Sequence, residues 1–195
     1  MKYLLLLILI ANVSFSNAQK LYVWCPEYVQ APPRSDISSL DTVKVAFFDA
    51  RILNEKSKIE CTSETLIESI FEQIKQVYPN IYFVKDNSLY RSKESKGTLL
   101  KIGISAYHAG FGTDISAGIG IVGGNLSTMI IPKGMWNAST IFYTEIIKNS
   151  TSNQEMISNI GSQSNIWGYK SARKALNESY IKSLQQLLFF IDGNI

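Results

Sequence analysis

The chain has 195 residues, 46% of them hydrophobic and 18% charged, with a formal net charge of +3. That length suits one domain with a sizeable core. Its lysines and acids are interspersed, which excludes the clustered basic face that nucleic-acid binding needs, and one histidine with two cysteines excludes a closed four-ligand Cys/His zinc site.

Lys2 precedes an unbroken apolar run from Leu4 to Ala11, LLLLILIA, and small residues follow at Ser16 to Ala18. This three-part layout predicts a secretory signal peptide over residues 1–18, with the mature chain starting at Gln19. The run is too short for a membrane-spanning helix. Residues 19–42 read as an extended lead-in, because Pro26, Pro32 and Pro33 remove backbone donors and block helix. Export would bring Cys25 and Cys61 into an oxidising compartment. They are expected to bond, although geometry, which decides between a bridge and two buried thiols, cannot be read from sequence.

VKVAFFDAR, 43–51, is the first strand, and both of its faces turn apolar near its end, as in a central strand. Residues 62–79 form a helix with Thr62 as N-cap and Leu66, Ile67, Ile70, Phe71, Ile74 and Val77 at helical spacing; Pro79 stops it. A short strand, 81–84, follows, then a polar connection, 86–97. Residues 98–109 read as a strand with Leu100, Ile102, Ile104 and Ala106 on one side. Residues 110–124 are glycine-rich, and 126–132 and 138–147 read as two more strands. The Ser- and Asn-rich stretch 149–165 reads as a loop. The last element is a helix over 169–191, with Ala172, Leu176, Tyr180, Leu184, Leu187, Leu188 and Ile191 as its apolar stripe. The order predicts an α/β two-layer sandwich: a mixed, mostly antiparallel sheet of about five strands with two main helices on one face. Residues 43–195 form a single domain.

Gly118, Gly120 and Gly123 have the spacing of a dinucleotide fingerprint. That fingerprint works only between a strand and a helix N-terminus, whereas these glycines lead into a β-branched stretch ending at Pro132. No nucleotide and no other cofactor is expected. The glycine-rich stretch instead reads as a projecting hairpin or loop, with Phe111, Ile115, Ile119 and Ile121 as an apolar contact surface. His108 is the sole histidine and has no partner signature for acid–base or nucleophilic work. Asp49 and Arg51, two apart at a strand end, are expected to pair with each other or cap the nearby turn. Trp136 and Trp167 stand beside glycines, either plugging a sheet corner or offering rings to a sugar or peptide.

VKVAFFDAR, the helix ending QVYPNIYFV, and the closing run from WNASTIFYTEII to SARKALNESYIKSLQQLLFFI resemble the curli-secretion lipoprotein family. They are similar too to related outer-membrane assembly and transport-auxiliary lipoproteins. The resemblance implies a periplasmic α/β domain that works by protein–protein contact, with no catalytic residues. Those relatives carry a lipidated cysteine directly after the signal peptide. Here position 19 is Gln, and Cys25 follows LYVW, so no lipid anchor carries over. The expectation is a non-enzymatic exported protein of the periplasm or outer-membrane periphery. Its partners would be other envelope proteins or a membrane surface, with oligomerisation left open. The alternative is a carbohydrate- or peptide-binding module using Trp136, Trp167 and the glycine loop. A hydrolase built on His108 or Asp49 ranks last.

Overall fold

A computed structural model of the chain describes residues 20–38, 42–53, 55–93, 96–112, 134–149 and 151–195. Among them are strands β1 (Tyr22–Val23), β2 (Val43–Asp49), β3 (Lys58–Ile59), β4 (Phe83–Lys85), β5 (Thr98–Phe111), β6 (Met135–Lys148) and β7 (Thr151–Ser164). Helix α1 spans Ser63–Val77, helix α2 spans Tyr169–Asp192, and a 3-10 turn covers Asn87–Arg91. The class is mixed α/β, with a seven-strand sheet rather than about five strands, curled into a half-barrel.

β5 organises the sheet. One of its edges pairs antiparallel with β6, from Leu99↔Ile147 to Phe111↔Trp136. The other edge is shared. β2 runs parallel to its first half, Val43↔Thr98 to Asp49↔Ile104, and β1 meets its far end at Tyr22↔Ala109. β4 extends the sheet beyond β2, β3 beyond β1, and β7 beyond β6.

Both helices pack on one face and share one core. α1 starts where Thr62 Oγ1 accepts from the Thr65 N–H at 3.2 Å, and it buries Leu66, Ile67, Ile70, Phe71, Ile74 and Val77. α2 buries Ala172, Leu176, Tyr180, Leu184, Leu187, Leu188 and Ile191. Gln73 of α1 donates to the Tyr180 hydroxyl of α2 at 2.9 Å, a polar clip inside that core. On the opposite face Ala46, Leu99 and Ile147 form a smaller cluster covered by Leu89 and Tyr90. The lead-in belongs to the packed structure: Val23 and Trp24 are buried, and Cys25 is bonded to Cys61 with their Cα atoms 4.7 Å apart. Among the described residues no helix is long and apolar enough to cross a membrane.

Three elements depart from the sequence reading. Strict alternation places Ala106 beside Ile104, but a bulge between them takes Ser105 out of step. One extra residue reverses the parity of everything after it. Tyr107 and Ala109 therefore join the helix-side core, and His108 turns to the other face. Residues 149–165, expected as a loop, are instead strand β7, paired with β6 from Lys148↔Thr151 to Met135↔Ser164. Its helix-side face is polar because it meets α2 through side-chain hydrogen bonds. Asn159 donates to Ser183 at 3.1 Å and to Gln186 at 2.9 Å, and Gln163 donates to Glu178 at 2.8 Å. β6 also starts earlier than expected, so Trp136 lies in a strand and not in a turn. The expected strand 126–132 lies outside the described residues.

Candidate functional site

The far ends of β5 and β6, β1 and the start of α2 converge at one end of the molecule. β1 sets Tyr22 against Ala109, and the last β5–β6 pair sets Phe111 against Trp136. Their rings form a connected cluster. Tyr22 stacks on Trp24 at 5.6 Å and meets Trp136 edge-on at 5.5 Å. Phe111 meets Trp136 at 5.3 Å, and Tyr169 approaches Tyr22 at 5.1 Å and Trp136 at 5.9 Å. Such offset and edge contacts hold aromatic side chains firmly. The Tyr169 hydroxyl, 3.4 Å from that of Tyr22, together with burial pushes the Tyr22 phenol up to about 12.

Trp136 is the buried centre of this cluster, and its indole N–H donates to Asn165 Oδ1 at 2.7 Å. That bond fastens the turn between β7 and α2. The turn then projects two apolar side chains, Ile166 at 71% exposure and Trp167 at 72%, with Tyr169 at 58% just beyond. Gly168 between them has φ of 56°, a conformation that disfavours any residue with a Cβ. An open groove of about 460 Å³ runs beside the projection, lined by Gln163, Ser164, Ile166, Trp167, Lys170, Ser171 and Lys174. Lys170 and Lys174 are exposed. Lys20 sits 5.5 Å from the Tyr22 ring centroid, and Lys58, beside Tyr22 in the sheet, pairs with Glu60 at 2.9 Å.

His108 lies elsewhere, on the face away from the helices and directly across from Ser139. Both are buried, and neither His108 Nε2 nor Ser139 Oγ has a hydrogen-bond partner among the described residues. Burial, with the Arg51 charge adding to it, lowers the imidazole pKa to about 4. Arg51 forks onto Asp49, with Nε at 2.9 and 3.0 Å and Nη2 at 2.6 Å. Burial alone would raise the Asp49 carboxyl, but hydrogen bonds from Arg51 and Ser63 outweigh it and hold the group below its ordinary value. The Asp49–Arg51 pair therefore closes the strand end as a bonded unit. Among the described residues no group of three or more His, Cys, Asp or Glu side chains gathers at metal-binding distance.

Of the contact residues expected from sequence, Phe111 is the last residue of β5, 43% exposed and packed against Trp136. Ile115, Ile119 and Ile121 lie outside the described residues, as do Gly118, Gly120 and Gly123. The two tryptophans do not act as a pair of platforms: Trp136 is core, and Trp167 alone presents its ring. Ile166, Tyr169 and Tyr22 are additions that the sequence reading missed. The only local signal was an apolar pair, Ile166-Trp167, interrupting a polar stretch just before Gly168.

No protein-family model and no curated protein matches the sequence. Among solved structures, an uncharacterized protein aligns over 86% of this chain and 99% of its own, at 10% identity and a TM-score of 0.46. A hypothetical protein from Chlamydia trachomatis aligns over 79% of this chain and 98% of its own, at 7% identity and a TM-score of 0.43. A "putative neuraminyllactose-binding hemagglutinin homolog" from Helicobacter pylori aligns over 84% and 90%, at 12% identity and a TM-score of 0.39. At identities and TM-scores this low, none of these proteins lends its fold or its name to this chain.

Proposed function

We propose that this chain is a non-enzymatic, exported component of a bacterial envelope that works through contact with envelope proteins or a membrane surface. The observation that carries the reading is the projecting pair Ile166 and Trp167, mostly exposed and held on a rigid aromatic base. Grouped exposed apolar side chains on a soluble fold mark interaction sites. The Cys25–Cys61 bond fits an oxidising compartment, and the apolar run behind Lys2 fits a secretory leader. The resemblance to the curli-secretion lipoprotein family supports the same reading. Phe111, the last residue of β5 and packed on Trp136, belongs to this proposed surface, and Ile115, Ile119 and Ile121 are proposed as contact residues on sequence grounds alone.

The test is cell fractionation of the exporting host with an Ile119→Ser/Ile121→Ser variant and a Trp167→Ser variant. Each is expected to keep the wild-type unfolding midpoint and to leave the envelope pellet for the soluble fraction. Variants that stay with the pellet overturn the reading. A double isoleucine variant that fails to fold makes those residues core and removes them from the surface.

A second reading, a carbohydrate- or peptide-binding module, is favoured by one observation: Trp167 stands beside an open groove with polar groups from Gln163, Ser164 and Lys170. Saturable quenching of Trp fluorescence by a soluble oligosaccharide or peptide would select it. Quenching absent across such a series would remove it.

A further inference from the structure

We infer that the projection formed by Ile166, Trp167 and Tyr169 seats on an anionic lipid surface. The inference rests on the contact reading above and names its partner. Three features converge on it. Ile166 and Trp167 project from a tight turn as a small convex tip, and a tip suits insertion between headgroups better than a flat protein patch. Trp167 and Tyr169 are the side chains that favour the boundary between hydrocarbon and water, since each has an apolar body and a polar end.

The third feature is charge. Lys170 and Lys174 stand one helical turn apart on the face of α2 that lines the groove beside Trp167. Neither is paired with a carboxylate among the described residues. Glu178, one turn beyond Lys174, accepts from Gln163 at 2.8 Å and keeps its charge, and Glu27 faces Arg173 at 4.0 Å. Two exposed lysines that form no ion pair among the described residues, beside an aromatic tip, suit an anionic complement. A protein partner is the weaker fit, because interface cores are depleted in lysine. A headgroup layer takes both features, with lysine stems lying along the apolar boundary while their ammonium groups reach phosphate. Gly112 and Met135 meet at this same end through a 3.1 Å backbone bond.

The test uses the protein recovered from its exporting host with the disulfide intact. Wild type and variants share one N-terminus, so differences between them read this end alone. Sedimentation with vesicles of mixed phosphatidylglycerol and phosphatidylcholine is compared with phosphatidylcholine alone. The wild type is expected to prefer the anionic vesicles and to release as salt rises. Its Trp emission should shift to the blue, a change dominated by Trp167 because Trp24 and Trp136 are already buried. Lys170→Ala/Lys174→Ala should weaken binding by roughly tenfold to thirtyfold. Ile166→Ser/Trp167→Ser should abolish the shift and weaken binding by at least about tenfold. Equal binding to both vesicles, binding by the variants equal to wild type, or no vesicle binding overturns the inference. If vesicle binding is absent while the same residues still hold the chain in the envelope fraction, the partner is a protein. The lipid assignment then falls and the contact reading stands. Loss of both removes both.

Discussion

Protonating an imidazole that is buried beside a guanidinium is costly, and His108 is in that position. Its folded pKa of about 4 lies below the ordinary 6.5. As pH falls through 6.5 the unfolded chain takes up a proton that the folded chain refuses until about pH 4. The native state should therefore lose up to about 3 kcal/mol across that window. Urea unfolding at pH 7 and at pH 4.5 is expected to show this loss in the wild type and a much smaller one in His108→Leu. Equal losses would mean the imidazole titrates normally. Asp49 acts in a lower window. Its depressed carboxyl pKa contributes stability that is present above 3.8 and lost as pH falls through the folded value, so the two groups separate on the pH axis. The disulfide is the other residue-scale term. Cys25→Ser/Cys61→Ser should lower stability by about 2–4 kcal/mol through a freer unfolded chain, read as a lower urea midpoint. An unchanged midpoint under reductant would show that the lead-in is held by packing alone.

At the scale of elements, β7 and α2 depend on how closely strand and helix approach. A Cβ at Gly161 would meet the Ala175 carbonyl oxygen at 2.0 Å, and backbone cannot yield as a side-chain tip can. Gly161→Ala is expected to cost about 1–3 kcal/mol by overpacking, with the loss seen as a lower thermal midpoint. An unaffected midpoint would mean that α2 rides more loosely on the sheet than the hydrogen bonds of Asn159 and Gln163 suggest. The same contact explains what was legible in the sequence. α1 and α2 announced themselves because their buried residues are apolar and periodic, and β2 and β5 because β-branched runs stand between polar turns. β7 did not, because it meets its helix through amides and hydroxyls around one glycine. Only Ile157 of its helix-side residues joins the core, and no apolar alternation survives to be read. The bulge at Ser105 was equally silent, and it alone decides which face His108 occupies. The candidate site was legible only at Phe111, Trp136 and Trp167, as aromatics near glycines. Burial of one tryptophan and exposure of the other follow from long-range pairing, which puts Trp136 between Tyr22, Phe111 and Tyr169.

For the whole molecule, the decisive question is how a proline-rich lead-in stays docked when its described residues form only one two-residue strand. Besides β1 pairing and backbone bonds, two of its side chains fasten it to distant parts of the chain. One is Cys25, whose bond to Cys61 ties it to the residue just before the Thr62 cap. The other is Arg34. Its guanidinium donates to the Tyr78 hydroxyl at 3.0 Å, to the Leu188 carbonyl at 2.9 Å and to the Asp192 carboxylate. The Tyr78 hydroxyl in turn donates to Asp192 Oδ1 at 2.7 Å. One side chain thus joins the lead-in to the C-terminal ends of both helices, where a cation also suits the helix dipoles. The ion pair is partly exposed, so its charge is screened by solvent. What Arg34→Ala loses is mainly the three-way hydrogen bonding, about 1–3 kcal/mol. The effect should be local as well as global. With the disulfide intact, hydrogen exchange should rise at Arg34 and Ile37, whose amides bond to Val77 and Arg34 carbonyls, and proteases should cut within residues 26–38 sooner. Protection near Tyr22 and Val23 should persist, because β1 remains paired and the Cys25 bond remains closed. Arg34→Lys, which keeps the charge but is shorter and lacks the planar guanidinium, should recover only part of the protection. If Arg34→Ala instead exposes β1 and the aromatic end together, the two fasteners act as one cooperative unit, and the lead-in is integral to the contact surface rather than a strap across its back.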